Sequence, residues 1–243
     1  MRKHRKFNDT WMKLVHAFPS YEEKVDLMEY LPVTSLMTNP EMSEFMNHFQ
    51  RVLIGCEESQ EVCKAFRAKG HEAYSCDLLK CSGGHPEWHI QGDVLSAIEK
   101  GWDLIVLHPP CTALAVSGNA WYGKGMLKNS ERLKAIDWTI RLFELAKSKA
   151  NMVAMENPVG VLPVKASQYV QPWQFGHPES KKTGFWLHEL LPLKSTNNVK
   201  NLFDSLPKNK QQRLHYLPPS ADRAKIRSKT FPGIAKAMAD QWG

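Results

Sequence analysis

The strongest constraint on this chain is a rhythm of short β-rich runs, each closing on a polar residue or a glycine. Val52-Leu-Ile54 leads into Gly55-Cys56-Glu57-Glu58, residues 73–76 into Asp77, and residues 88–90 into Gly92-Asp93. Asp103-Leu-Ile-Val-Leu107 leads into His108-Pro-Pro-Cys111, and residues 151–155 into Glu156-Asn-Pro158. Helical spacing fills the gaps. Ser59 can cap a helix carrying Val62, Ala65 and Phe66, and Gly70 ends it. A longer helix is predicted from about Ser130 to Lys147, with Leu133, Ile136, Ile140 and Phe143 on one face. Parallel strands need crossover connections, so strands that alternate with helices predict a sheet covered on both faces. The expected fold class is a doubly wound, mostly parallel α/β sheet.

Composition narrows the class further. With 42% hydrophobic and 23% charged residues the chain is not a disordered one. At 243 residues it can bury a core without disulfide staples. Five cysteines, an odd and sparse set, suit free thiols in a reducing compartment. No apolar stretch approaches the roughly 20 residues that span a bilayer, and no apolar run follows the basic residues 1–6. A soluble cytoplasmic protein is expected, with no membrane partner. Residues 1–48 read as a helical extension, in which Val25, Met28 and Leu31 keep helical spacing up to Pro32; residues 49–243 form the main domain. The net charge of +7 points to a polyanionic partner.

In doubly wound sheets, ligands bind beyond the carboxyl ends of the strands. Cys56, Glu57, Asp77, Asp93, Cys111 and Glu156 all fall there. Two prolines before Cys111 stiffen its backbone, and a thiolate held at a fixed point is a strong nucleophile; the plainer reading is a small buried hydrophobe. Glu156, on the next strand end, can protonate or hydrogen-bond a ring nitrogen while a thiolate attacks the ring; the plainer reading is a loop acid. Asp77 suits a ribose diol and Asp93 an adenine amino group. Cys76, Cys81, His85 and His89 are crowded but lack paired Cys-x-x-Cys spacing, so no metal is expected.

The order of these motifs resembles the cytosine C5 DNA methyltransferases, most of all the small members found in phage genomes and prophages. The resemblance covers about residues 51–187 and 229–242. It implies a class I, Rossmann-like methyltransferase fold with S-adenosyl-L-methionine as cofactor. Val52-Leu-Ile-Gly-Cys-Glu-Glu-Ser59, Asp77-Leu78, Gly92-Asp-Val94 and Pro109 would form its site, with Gly55, Cys56, Glu57, Asp77, Leu78, Asp93 and Val94 as binding residues. Pro110-Cys111 matches the nucleophile motif and Glu156-Asn157 the acid motif, which implies Cys111 and Glu156 as catalytic and Pro110 and Asn157 as substrate-binding. Phe175-Gly-His-Pro178 through Thr183 and residues 231–242 resemble the last two motifs.

This sequence departs from the family at several points. Gly55 is the one glycine of the first loop, Thr112 replaces Gln and Pro158 replaces Val. Thr183 stands where an Arg often contacts the base, and Lys181 or Lys182 can substitute. The recognition slot at about 188–229 is short, yet residues 194–229 hold nine Lys and Arg against Asp204 and Asp222, a pattern suited to phosphate contacts. The loop 112–128, with Trp121 and Tyr122 beside Gly118, Gly123 and Gly125, is placed to close over a flipped base.

The implied activity is methyl transfer to cytosine C5 in duplex DNA through a Cys–C6 adduct. Alternatives are C5 methylation of a free cytosine nucleotide or RNA, amino-group methylation through His108-Pro-Pro-Cys111, or a non-catalytic binding relative. The sequence leaves open both a protein partner that supplies specificity and the oligomeric state.

Overall fold

The structure is a computed structural model that describes residues 50–243; the helical extension expected over 1–48 lies outside the described residues. The strands are β1 (Arg51–Gly55), β2 (Glu72–Asp77), β3 (His89–Gln91), β4 (Leu104–Leu107), β5 (Met152–Pro158), β6 (Gln168–Val170) and β7 (Thr183–His188). They form one sheet in the order β3-β2-β1-β4-β5-β7-β6. β1 to β5 are parallel, and β7 runs antiparallel to both β5 and β6. This is a doubly wound, mostly parallel, Rossmann-like fold, as the sequence pattern predicts.

The helices are α1 (Glu61–Arg67), α2 (Val94–Ile98), α3 (Asn119–Tyr122), α4 (Asn129–Lys149), α5 (Lys200–Ser205), α6 (Lys208–Gln211), α7 (Arg223–Ser228) and α8 (Pro232–Trp242). Strand side chains alternate between faces, and two core layers follow from that alternation. Val52, Ile54, Val106 and Ala154 pack with Phe66 of α1 and with Met238 and Trp242 of α8. Leu53, Ile105, Leu107, Val153 and Met155 pack with Ile98 of α2 and with Leu142 and Ala146 of α4. Strands β1 and β4 are apolar on both faces, which a central parallel position requires. Burying one such Leu or Ile is worth about 1.5–3 kcal/mol, so these two strands hold the site's floor in place. Among the described residues, no helix is long and apolar enough to cross a membrane.

Three local expectations are corrected, and the basic stretch gains a structure. Ser59 does not cap α1: the helix follows Gln60, which sits in the left-handed region at φ 58°, and the Glu57 carboxylate receives Val62 N (2.7 Å) and Cys63 N (3.2 Å). On α4 the buried stripe is Arg132, Thr139, Leu142 and Ala146, whereas Leu133 is exposed. β5 continues through Glu156-Asn157-Pro158, because β7 pairs with it there and keeps the chain extended. The basic stretch after residue 188 breaks into three short helices, and its Leu193 and Leu214 enter the same core as β1.

Candidate active site

Register brings the central pair together. Leu107 of β4 stands beside Met155 of β5, so the next residues along, His108 and Glu156, are neighbours on one face. His108 Nδ1 lies 3.1 Å from Glu156 Oε2, with each side chain only 10% exposed. One step further, the Asn157 amide donates to the Pro109 carbonyl at 2.8 Å. That bond ties β5 to the stiff Pro109-Pro110 segment that carries Cys111. Pro109 is buried, Pro110 exposed and Cys111 half-buried.

Glu156 is held from three sides. Burial pushes its carboxyl up, but His108's hydrogen bond, the Lys181 charge and Thr183's hydroxyl together bring it below the usual range. A carboxylate only accepts, so the hydrogen of the His108–Glu156 bond belongs to Nδ1. The Thr183 hydroxyl also reaches the Lys181 carbonyl at 3.1 Å, and Thr183 itself is buried. Burial raises the Cys111 thiol and the Glu156 charge raises it further, while Lys181 and Arg227 pull it down. The nucleophile candidate therefore rests as a thiol in this arrangement and gains reactivity from nearby cations.

The substrate-binding candidates divide. Lys181 lies at the site, its ammonium donating to the carbonyls of Lys229 (3.1 Å) and Ser228 (3.5 Å) at the end of α7. Lys182 instead sits over the Tyr169 ring at 4.9 Å. Thr183 and Asn157 face protein partners, Glu156 and Pro109, rather than open space. Asn157 Oδ1 and His108 Nε2 are buried without a hydrogen-bond partner among the described residues.

The loop after Cys111 is half fixed and half exposed. Arg132, buried on α4, donates to the carbonyls of Ala113 (2.7 Å) and Ala115 (3.2 Å) and to Asn119 Oδ1 (2.7 Å). Backbone bonds from Val116 to Val159 and from Val161 to Leu114 add to this anchor. Beyond it, Trp121, Met126 and Leu127 stand exposed. The sequence pattern suggests one moving loop over 112–128 and gives Arg132 no prominence. Its signal is a lone arginine on the helix face that also carries Thr139, Leu142 and Ala146.

At the other end of the sheet, β1, β2 and β3 carry the cofactor candidates. Gly55 has a packing reason to be glycine: a Cβ there would lie 2.7 Å from Val94 Cγ2 and 2.8 Å from Leu107 Cδ2. Val94 is thus a buried packing residue. Cys56 turns with φ 61°, and its thiol is raised to about 12 by burial, with Asp77 and Asp93 among the charges beside it. Asp77 accepts from Leu79 N (2.9 Å), Asp93 from Leu95 N (3.0 Å) at the start of α2, and Leu78 and Leu79 are exposed between them. Among the described residues, each Asp uses one carboxylate oxygen in this way. Glu57 is buried and both its oxygens receive backbone N–H groups of α1.

Gln60 is a further residue that the sequence alone does not point to. Fully buried, it exchanges two hydrogen bonds with the backbone of His85 (2.7 and 3.1 Å) and so fixes the loop after Asp77. The Cys76, Cys81, His85 and His89 set does not converge. His89 binds Ser75 Oγ and the Leu79 carbonyl, His85 stacks on Trp88, and Cys76 Sγ donates to Gly92. Among the described residues no three His, Cys, Asp or Glu side chains are grouped to hold a metal. All five cysteines are free.

No protein-family model matches this sequence, and no curated protein matches it. Among solved structures it is similar to an S. pombe Dnmt2 methyltransferase at 13% identity and a TM-score of 0.41, over 72% of this chain and 62% of that one. The chain thus spans under two thirds of that protein's length.

Proposed function

We propose that this protein transfers a methyl group from S-adenosyl-L-methionine to C5 of cytosine in DNA, with Cys111 as nucleophile. The observation that carries this reading is that β4–β5 register and the Asn157-to-Pro109 hydrogen bond hold the segment bearing Cys111 against the end of β5 that bears Glu156, with the Glu156 and Lys181 charges both acting on the Cys111 thiol. A thiol and a carboxyl so placed can act on one flat ring from its face and from its edge.

Cys111, once ionised, adds to C6, and the electron pair of the C5–C6 bond becomes available at C5. Glu156 accepts from the amino group and carries to N3 the proton that Cys111 gives up, which neutralises that charge. After C5 is methylated, loss of its proton returns the pair to the ring and Cys111 leaves as thiolate. S-adenosyl-L-methionine supplies the electrophilic methyl group when bound. The residues that fit it are Asp77 for the ribose diol, Asp93 for the adenine amino group, and exposed Leu78 for the purine face.

Support for a polyanionic substrate comes from Arg227. This residue of the basic stretch lies close enough to Cys111 to lower its pKa, so the stretch borders the nucleophile and can meet phosphates there. The amino-methyltransferase alternative is disfavoured, because His108 is already bonded to Glu156.

The test is covalent trapping on duplex DNA containing 5-fluorocytosine, which cannot lose its C5 substituent. Wild type gives a denaturation-resistant adduct in the presence of S-adenosyl-L-methionine, and Cys111→Ala gives none while still binding the cofactor. An adduct that persists in Cys111→Ala contradicts the assignment. Trapping on single-stranded RNA but not on DNA moves the substrate and keeps the chemistry.

A further inference from the structure

The stretch after β7 carries an exposed aromatic ring on a cationic surface, which the chemistry above does not use. Residues 208–229 hold seven Lys and Arg and one acid, Asp222. Arg213 is engaged by Glu179 through bonds of 3.0 and 3.1 Å, and Lys229 reaches Glu61 at 3.6 Å. Among the described residues, the exposed Lys208, Lys210, Lys225 and Arg227 form no ion pair. Leu214 is buried in the same core as β1, and Leu217 packs against that core, so His215 and Tyr216 are pinned at the surface between them. Tyr216 is 56% exposed, and His215 meets it edge-on at 5.3 Å.

Three successive residues fasten this stretch to the active site. Glu179 holds Arg213, Ser180 N donates to Gln211 O at 2.7 Å, and Lys181 donates to the carbonyls at the end of α7. Arg223, the first residue of α7, donates to the His215 carbonyl at 3.3 Å, so α7 starts beside Tyr216. Its other end brings the Arg227 charge to bear on Cys111. Four helical residues advance about 6 Å, and a stacked strand advances about 3.4 Å per nucleotide. Tyr216 is therefore placed a few nucleotides from a base held at Cys111.

Resting on the reading of a nucleic-acid substrate, we propose that Tyr216 is a stacking platform for an unpaired base of the substrate strand, with Lys225 and Arg227 meeting the phosphates between that base and the target. The ring is already fixed by its buried neighbours, so little freedom is lost when a base lies on it. Every base has a π face, so the contact adds affinity without reading sequence. A base within a duplex keeps both faces stacked on its neighbours, so the platform serves a strand that is single or locally opened.

The experiment is fluorescence anisotropy with a labelled single-stranded DNA and with its duplex, in the absence of S-adenosyl-L-methionine, so that no methyl transfer is needed. Tyr216→Ala weakens single-strand binding by roughly 5- to 150-fold and leaves duplex binding nearly unchanged. Tyr216→Phe keeps the ring and binds like wild type. Stacking releases no counterions, so Tyr216→Ala keeps the slope of log K against log salt, whereas Lys225→Met lowers that slope by about 0.7.

Equal single-strand affinity in wild type and Tyr216→Ala overturns the proposal. So does a loss that the duplex shares, a loss that Tyr216→Phe does not prevent, or a wild type that binds no single strand. Covalent trapping keeps the two readings apart. An adduct together with an indifferent Tyr216 removes the platform alone, whereas Tyr216-dependent binding without an adduct keeps the platform and contradicts the methyl-transfer reading.

Discussion

Acidic residues line both ends of the sheet's carboxyl edge, but they are held differently. Along β1, β2 and β3 each acid serves the backbone beside it: Glu57 caps α1, Asp93 caps α2, and Asp77 closes a turn onto Leu79. Along β4, β5 and β7 the groups meet across strands. Glu156 touches His108 from one neighbour and Thr183 from the other, and Asn157 grips Pro109. Local capping uses one carboxylate oxygen of each of Asp77 and Asp93, as suits reversible cofactor binding. Cross-strand bonding buries the second set and couples their charges, as suits chemistry that depends on protonation.

That contrast is sharpened most by Glu156→Gln. If the second set acts as a coupled unit, this change lowers kcat by roughly 10²–10³. It also moves the alkaline rise of activity, where Cys111 ionises, to lower pH. The sign follows from the charges: Glu156 opposes the thiolate, so its removal eases ionisation. Lys181→Met moves the same rise to higher pH, because Lys181 favours the thiolate. A pH–rate profile under single-turnover conditions checks both directions.

Arg132→Ala probes how far the coupled region extends. It leaves the carbonyls of Ala113 and Ala115 without their guanidinium and costs about 1–3 kcal/mol in a denaturant titration. The smallest effects separate the two kinds of acid at the other end. Glu57→Ala strips the cap from α1 and costs about 1–2 kcal/mol. Asp77→Ala leaves stability nearly unchanged but weakens S-adenosyl-L-methionine binding about tenfold by calorimetry, the value of one charged hydrogen bond. Equal behaviour of these two variants would erase the distinction between a capping acid and a ligand-facing one.

How much was legible in the sequence follows the same division. The ends of the first four strands, the start of β5, and the places of Cys111 and Glu156 are readable from short apolar runs followed by polar residues, whereas the end of β5 is not, because its pairing with β7 carries it on to Pro158. Glu57 is not, because its partners, Val62 N and Cys63 N, depend on the chain turning at Gln60 in the left-handed region. His108 has weight in the sequence only as part of a different motif, since its bond to Glu156 emerges once the β4–β5 register is known. Strands β6 and β7 are not foreseen. They are short, and Thr183-Gly-Phe-Trp-Leu-His188 has no simple alternation, being buried over its first four residues. Arg132 takes a place that periodicity gives to Leu133, because loop carbonyls converge there and need a donor.

The central claim is the identity of the modified base and of its nucleophile, and nucleoside mass spectrometry tests both together. DNA is taken from cells expressing wild type and, separately, Cys111→Ala. The expected result is 5-methylcytosine with wild type alone. N4-methylcytosine or N6-methyladenine in its place, or 5-methylcytosine persisting with Cys111→Ala, would contradict it.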